Sequence, residues 1–169
     1  MLPDITTLIF DVDGIMTDGL ILLTPEGEAL RAINTKDGHA MARAVDAGFR
    51  LMAITRGSSK TITAGLMRLG FTDVALEVRD KKAKYEEFKS EYGFDDGQVA
   101  YMGDDLPDMD VLSQAALAAC PEDAVHEVRD ICNYISPFKG GKGCVRDVIE
   151  KVMRSQDKWY KAPTDHHIP

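Results

Sequence analysis

The chain has 169 residues, of which 44% are apolar and 28% are charged, values typical of a globular protein with one full hydrophobic core. The net charge of −8 and the lack of a basic stripe argue against nucleic-acid binding. No apolar run approaches the length of a membrane-spanning helix. The N-terminus has no basic region followed by an apolar stretch, so we expect neither a membrane anchor nor an export signal.

The cysteines Cys120, Cys132 and Cys144 match neither a CxxC pair nor a zinc pattern. An odd number of cysteines without an export signal favours a reducing compartment, so we expect a cytoplasmic location. Their simplest interpretation is as small buried or half-buried side chains.

Strand-like and helix-like segments alternate along the chain, which predicts an α/β fold with a doubly wound parallel sheet, a Rossmann-type three-layer sandwich. Helices are expected on both faces of this sheet. Segments that read as strands are 8–10, 50–54, 73–76, 99–102, 116–119 and 133–135. Segments that read as helices are 37–47, the stretch after Ser58 or Ser59, the stretch after Asp80, the turn around Pro107, and 145–152.

One segment interrupts this alternation. Residues 20–23 and 29–33 flank a turn that Pro25 and Gly27 shape, which predicts a β-hairpin inserted at about 18–33. We expect a single domain over residues 1–160, followed by a polar tail at 161–169.

The end of the first strand carries the most informative residues. Asp11 and Asp13 follow the apolar run at 8–10, and Gly14 lets the backbone turn sharply behind them. Ligands bind at the carboxyl ends of strands in open α/β sheets, where such a pair could serve as nucleophile and general acid. A calcium loop or a surface acidic turn is the alternative, which the buried strand and Thr17-Asp18-Gly19 disfavour.

Further polar residues follow later strands and helix starts. Thr55 ends the second parallel strand, Lys81 begins a helix, and Asp104, Asp105 and Asp108 follow the strand at 99–102. Each of these residues has an alternative interpretation. Thr55 could be an ordinary residue at a strand end, and Lys81 could be a surface charge like its lysine neighbours. The aspartates could cap a helix. Carboxylates grouped at strand ends suit Mg²⁺, which prefers oxygen ligands.

In this order, these residues resemble the phosphatases of the haloacid dehalogenase superfamily. The resemblance implies that Asp11 attacks phosphorus while Asp13 protonates the leaving alcohol, through an aspartyl-phosphate intermediate. It implies that Thr55 and Lys81 stabilise the transferring group. It also implies that the Asp11 and Asp104 side chains and the Asp13 carbonyl hold Mg²⁺, with Asp105 and Asp108 orienting waters and Lys81.

The chain has little room for a cap domain on either side of Thr55. It resembles the capless 3-deoxy-D-manno-octulosonate 8-phosphate phosphatases over about residues 5–159, through the strings at 11–19, 34–38, 103–108 and 140–148. The resemblance implies a sugar-acid phosphate substrate, lipopolysaccharide biosynthesis in the cytoplasm, and a homotetramer formed through the hairpin. It places substrate contacts at Asn34, Thr35, Lys36, Asp37, Gly38, Arg56 and Gly57.

Several positions depart from that family. Where its members commonly show Thr-Gly-Arg, residues 55–57 read Thr-Arg-Gly; two further expected arginines fall on Ala42 and Gly65, with Arg43 and Arg68 nearby. Substrate recognition is therefore expected to differ in detail, and Gly140–Gly143 is either a flexible loop or a substrate contact.

Three alternatives stay open. The nearest is a phosphatase of nine-carbon keto-sugar acid 9-phosphates. A phosphorylated receiver domain also uses a strand-end aspartate, a threonine and a lysine, but it lacks an acid at the position of Asp13. The third is a non-catalytic oligomerisation module, which the presence of Asp11, Asp13 and Asp104 disfavours.

Overall fold

A six-stranded, fully parallel sheet forms the centre of the computed structural model, which describes residues 2–160. The predicted doubly wound α/β fold is confirmed, whereas the tail at 161–169 lies outside the described residues. The strands are β1 (Thr7–Phe10), β2 (Leu22–Leu23), β3 (Ala29–Leu30), β4 (Arg50–Ile54), β5 (Asp73–Ala75), β6 (Val99–Met102), β7 (Leu117–Cys120) and β8 (Tyr134–Ile135). The helices are α1 (Thr35–Asp46), α2 (Lys60–Arg68), α3 (Lys81–Tyr92), α4 (Met109–Leu112), α5 (His126–Ile131) and α6 (Cys144–Ser155).

Side chains of the central strand point alternately to two hydrophobic layers, as strand geometry requires. Leu8 and Phe10 pack in the layer that includes residues of α1, α2 and α6. Ile9 packs in the opposite layer, with residues of α3, α4 and α5. Both faces are therefore covered, which explains why the strands read as continuous apolar runs rather than alternating ones.

Side-chain caps set where three helices begin. Asn34 accepts a hydrogen bond from the Lys36 amide at 2.9 Å, Ser59 from the Ile62 amide at 3.4 Å and Asp80 from the Ala83 amide at 2.9 Å. The cap at Asn34 explains why α1 begins at Thr35, two residues before the sequence pattern suggested. Of the two serines considered, Ser59 is the cap.

The inserted hairpin is present, and it is shorter than its sequence pattern. β2 and β3 pair antiparallel as a separate two-stranded sheet, with Leu22 opposite Leu30. Gly27 has a φ of 85°, a conformation that favours glycine, and so closes the turn. Leucines of both strands are exposed on the hairpin surface.

The strand order places β1 between β4 and β6, and the connection after β1 runs toward β4 whereas the connection after β6 runs toward β7, in the opposite direction. Such a reversal opens a crevice at the strand ends, which is where doubly wound folds bind ligands. The residues after β1, β4 and β6 are therefore brought to one place. Among the helices of residues 2–160, none combines the length and the apolar character needed to cross a bilayer.

Candidate active site

The loop after β1 is shaped by its own side chains. The Thr17 hydroxyl accepts hydrogen bonds from the Gly14 amide at 3.3 Å and from the Gly19 amide at 3.2 Å. Gly14 has a φ of 85°, and a Cβ at that position would lie 2.0 Å from Oδ2 of Asp104. The glycine predicted to turn the chain therefore also leaves room for a carboxylate that arrives from β6.

A cavity of about 290 Å³ opens at these strand ends. Its lining contains every side chain that the sequence assigned to catalysis and metal binding, together with the Arg56-Gly57 pair. The lining residues are Asp11, Asp13, Gly14, Gly19, Thr55, Arg56, Gly57, Lys81, Asp104, Asp105, Pro107 and Asp108. Residues up to 97 positions apart in the chain thus share one cavity, as expected when parallel strands end at a common edge.

Lys81 bridges two of the carboxylates. Its Nζ lies 2.9 Å from Oδ2 of Asp11 and 2.7 Å from Oδ1 of Asp108, and only 2% of its side chain is exposed. Both acidic neighbours raise its pKa although burial opposes the charge. Its neighbour Lys82 is exposed, so the structure selects Lys81 as the lysine of the site.

Asp108 is fully buried and its carboxylate is saturated with donors. Its Oδ1 accepts from Lys81 and from the Tyr101 hydroxyl at 2.6 Å, and its Oδ2 accepts from the Asp104 amide at 3.2 Å. Asp105 lies beside it, exposed, and caps the following turn through the Leu106 amide at 2.7 Å. Asp108 therefore positions Lys81 and the backbone of Asp104, and Tyr101 is a partner that the sequence did not reveal.

In the lining of this cavity, acidic side chains outnumber basic ones. Carboxylate oxygens of Asp11, Asp104 and Asp108 all lie within 4.8 Å of one another. Burial, together with the charge of Asp108, raises the pKa of Asp11 to about 6; burial, followed by the charges of Asp11 and Asp108, raises the pKa of Asp104 to about 7. Because Asp108 is already saturated, the side chains of Asp11 and Asp104 are the ones available to a hard divalent cation, and their chemistry fits Mg²⁺.

Thr55 lies at the end of β4 and is buried. Its hydroxyl accepts a hydrogen bond from the Gly57 amide at 3.0 Å, which leaves the hydroxyl hydrogen free to be donated into the cavity. Arg56 is exposed at the cavity rim. The Thr-Arg-Gly order thus places an arginine on the cavity wall one residue earlier than the family pattern does.

Asp13 has a partner that the sequence did not indicate. Arg31, the residue that follows β3, donates from Nε to Asp13 Oδ1 at 2.6 Å and from Nη2 to Asp13 Oδ2 at 3.2 Å. The signal available in the sequence was a single cation at the end of the inserted hairpin, which identifies no target by itself.

The segment proposed to contact substrate lies elsewhere. Asn34, Thr35 and Lys36 line a second cavity of about 640 Å³, whose lining also includes Lys142 and Arg146. Asp37 is fully buried, and it accepts a hydrogen bond from the Arg146 amide at 2.8 Å. Gly38 lies within α1, close to Leu69. None of residues 34–38 lines the cavity that holds the carboxylates.

The nearby arginines differ in environment as well. Arg43 stacks over Trp159, with its guanidinium carbon 5.7 Å from the ring centroid, and it donates to the Trp159 carbonyl at 2.5 Å. Arg68 is exposed at the end of α2. Neither lines the carboxylate cavity, so Arg56 is the one of the three arginines that does.

The glycine-rich segment is packed against the catalytic loop. A Cβ on Gly140 would lie 1.9 Å from the Gly14 carbonyl oxygen, and one on Gly141 would lie 2.6 Å from the Asp18 nitrogen. The Gly141 amide donates to the Ile15 carbonyl at 2.9 Å. These glycines therefore allow two backbone segments to touch, which is incompatible with a loosely attached loop.

The chain is similar to several known proteins. The chain is 35% identical over 155 residues to the 3-deoxy-D-manno-octulosonate 8-phosphate phosphatase KdsC of Yersinia pestis, covering 92% of this chain and 83% of that protein. It superimposes with a TM-score of 0.90 on a HAD superfamily (subfamily III A) hydrolase from Legionella pneumophila, at 30% identity over 93% of this chain and 86% of that one.

A third similar protein is the 3-deoxy-D-manno-octulosonate 8-phosphate phosphatase of Moraxella catarrhalis, whose structure is a complex with magnesium, phosphate and KDO. It has a TM-score of 0.90 and 29% identity, covering 92% of this chain and 90% of that one. No family model matches the chain. The identity to the Yersinia pestis protein extends over most of both chains, and this chain belongs to the 3-deoxy-D-manno-octulosonate 8-phosphate phosphatase family of the haloacid dehalogenase superfamily.

Proposed function

We propose that this chain is a magnesium-dependent phosphatase that hydrolyses 3-deoxy-D-manno-octulosonate 8-phosphate to KDO and phosphate. The observation that carries the proposal is the buried contact of Lys81 with Asp11, at 2.9 Å, beside the carboxylate of Asp104. This arrangement provides a nucleophile, a fixed positive charge and a metal site in one cavity. Relatives with this named activity match over 92% of the chain.

In the proposed first step, Oδ of Asp11 attacks phosphorus and the bond to the sugar oxygen breaks. Asp13 gives its proton to that oxygen, so that the sugar leaves as an alcohol. In the second step, Asp13 takes a proton from a water whose oxygen attacks phosphorus, and the bond to Asp11 breaks. Asp11 is thereby restored as a carboxylate and Asp13 as a protonated acid, and phosphate is released.

The surrounding groups stabilise charge on the phosphoryl oxygens. Lys81 places an ammonium beside the nucleophile, and the Thr55 hydroxyl can donate from the adjacent strand end. Mg²⁺ would be held by the side chains of Asp11 and Asp104 and the carbonyl of Asp13. When bound, it neutralises the excess carboxylate charge and withdraws electron density from the phosphoryl group.

Substrate recognition is proposed to begin at the rim of the carboxylate cavity. Arg56 is exposed there and supplies a guanidinium suited to a sugar-acid carboxylate. Lys36, Lys142 and Arg146 line the second cavity together with Asp147 and Glu150, and we keep residues 34–38 as a second contact region for the sugar.

The hairpin is proposed to join four copies of the chain. Leu20, Leu22 and Leu23 are 73%, 67% and 73% exposed, and Leu30 is 46% exposed, which makes an apolar surface that a monomer would leave in water. Cover by the hairpin of another subunit would also exclude water from a site that has no cap domain. All three cysteines are free, in keeping with the proposed place of the enzyme, cytoplasmic lipopolysaccharide biosynthesis.

The assembly can be tested by light scattering. A Leu22→Lys/Leu23→Lys variant should dissociate, whereas Glu28→Lys, which adds a cation to the same hairpin without replacing a leucine, should stay assembled. A monomeric wild-type protein, or a double variant that remains tetrameric, would contradict an interface at the hairpin.

The activity is tested by phosphate release with Mg²⁺ from a panel of substrates. The panel holds the eight-carbon sugar-acid phosphate, nine-carbon keto-sugar acid 9-phosphates and hexose phosphates, with Asp11→Asn as the blank. Preference for the eight-carbon substrate is the expected result. Preference for a nine-carbon substrate would show that the enzyme has that specificity instead. If the folded protein turns over none of the substrates, the proposed phosphatase activity is refuted.

A further inference from the structure

Arg31 reaches the catalytic loop from outside the parallel sheet. It follows β3 of the hairpin, and its Nη1 donates to the Ala29 carbonyl at 3.1 Å, which ties the guanidinium to its own strand. Its Nε and Nη2 donate to the two oxygens of Asp13, at 2.6 and 3.2 Å. Only 9% of the Arg31 side chain is exposed, against 32% for Asp13. This is a partly buried, bidentate pair, and bidentate pairing is the strong form of an arginine–carboxylate contact.

The chain at Gly57 lies beside the contact between Asp13 and Arg31. A Cβ built on Gly57 would lie 3.3 Å from Asp13 Oδ2 and 3.7 Å from Nη2 of Arg31. Asp13, Arg31 and Gly57 also share the lining of a small, largely apolar cavity of about 10 Å³, at the lower limit for a single water. The Asp13 carboxylate is therefore held by the guanidinium with the chain at Gly57 packed beside the pair, and rotation of its side chain would break both hydrogen bonds.

We infer that Arg31 is a positioning residue that fixes the Asp13 carboxyl toward the oxygen of the departing alcohol, so that the hairpin supplies part of the active site. The inference rests on the proposed function and deepens it. Arg31 itself lies outside the lining of the carboxylate cavity, so it acts through Asp13 rather than on the substrate. Each carboxyl oxygen of Asp13 keeps a second lone pair when it accepts a hydrogen bond from Arg31. The contact therefore leaves Asp13 able to exchange a proton with the substrate.

Arg31 acting through Asp13 has a signature that loss of folding lacks. Proton donation matters when the leaving group is an alkoxide, and much less when it is p-nitrophenolate, which departs unprotonated. The ratio kcat/KM covers the steps up to departure of the alcohol or phenol, so the later attack of water on the phosphorylated Asp11 does not enter it. The inference therefore predicts a loss that depends on the leaving group.

The experiment compares kcat/KM for three substrates: the eight-carbon sugar-acid phosphate, a hexose 6-phosphate and p-nitrophenyl phosphate. Arg31→Ala should lower kcat/KM for both alkyl phosphates about 100-fold, the usual effect of misplacing a catalytic group. For p-nitrophenyl phosphate the loss should be less than about 5-fold, and Asp13→Asn should show the same pattern. Arg31→Lys keeps the positive charge but cannot make the two parallel hydrogen bonds, so its kcat/KM for the alkyl phosphates should be little higher than that of Arg31→Ala.

Chemical rescue and a surface control complete the test. Guanidinium ion added at millimolar concentration should restore part of the alkyl-phosphate activity of Arg31→Ala, but none of that of Asp13→Asn. Arg154→Gln removes an exposed arginine of α6 and should leave all three substrates unchanged. Thermal unfolding establishes that each variant is folded, and Arg31→Lys carries the comparison if Arg31→Ala does not fold.

Several outcomes would overturn the inference. Equal losses on all three substrates would make Arg31 structural, and unchanged rates would make it irrelevant. A loss confined to the sugar-acid phosphate would show that Arg31 binds the substrate carboxylate instead. Failure of the wild-type protein to hydrolyse any of the three would refute the proposed function itself, a result distinct from all of these.

Discussion

Replacing Gly140 by alanine tests the contact between the glycine-rich segment and the catalytic loop. The added Cβ would start 1.9 Å from the Gly14 carbonyl oxygen and 3.1 Å from the Thr17 carbonyl oxygen. Ordinary van der Waals contact begins near 3.4 Å, so the two segments would have to separate by roughly 1.5 Å. Both obstacles are backbone atoms, which cannot rotate away as a side chain would.

The free energy of unfolding should fall by about 2–4 kcal/mol. Overpacking at a tight contact costs about 1–3 kcal/mol, and separation also breaks the bond from the Gly141 amide to the Ile15 carbonyl, worth about 0.5–1.5 kcal/mol. This is a large share of a typical total of about 5–15 kcal/mol. Since the displaced loop carries Asp13 and Gly14, phosphatase activity should fall as well.

Urea unfolding followed by the fluorescence of the single tryptophan, Trp159, measures the change. Gly65→Ala is the matched control, because its Cβ meets nothing within 4 Å inside α2, and alanine there should stabilise by about 0.5–1 kcal/mol. The free energy of unfolding of Gly140→Ala could instead lie within about 0.5 kcal/mol of the wild-type value while Gly65→Ala is stabilised as stated. That result would show that the tight contact does not exist in solution.

Asp11→Asn should keep the fold and abolish phosphate release, since an amide cannot attack phosphorus; substantial residual turnover would refute Asp11 as nucleophile. Lys81→Met should lower the free energy of unfolding by about 3–5 kcal/mol, because it leaves buried carboxylates unpaired, whereas Lys82→Met should be nearly neutral; urea titrations that rank the two alike would contradict this. In EDTA, the free energy of unfolding should fall as the pH rises from about 4 to 7. Folding raises the pKa of Asp11 from 3.8 to about 6 and the pKa of Asp104 from 3.8 to about 7. Over this range the folded state therefore binds more protons than the unfolded state, and raising the pH favours unfolding. Asp104→Asn or added Mg²⁺ should flatten this slope, and a metal-free stability that climbs over the same range would show the sign to be wrong.

Local chain features were sufficient to predict much of the fold. Strands β4 and β6 have the predicted bounds. They could be predicted because a short apolar run flanked by polar or turn-forming residues is typical of a buried parallel strand. The gathering of Asp11, Thr55 and Asp104 follows from one rule, that the carboxyl ends of parallel strands share an edge. Their catalytic roles stay predictions.

Features that depend on packing between distant segments could not be predicted. Lys81 and Lys82 are equivalent in the sequence, and the cap at Asp80 together with the direction of α3 decides which one is buried. Arg31 arrives on an insertion whose placement no periodicity describes. Residues 34–38 were expected by resemblance to contact substrate, and that role stays a prediction; the cap at Asn34 starts α1 there, and Asn34, Thr35 and Lys36 line a cavity other than the one with the carboxylates.

The contact of Gly141 with Ile15 also has a consequence for the order in which the protein is made. A ribosome adds roughly 5–20 residues per second, and the N-terminal part of a chain leaves it first. The loop that carries Asp11 and Asp13 is therefore exposed for several seconds before the glycines that hold it in place have been synthesised. Nascent chains that stop after β7 would already contain every carboxylate of the site and yet lack the segment that shapes its loop, so activity should appear only near the end of translation.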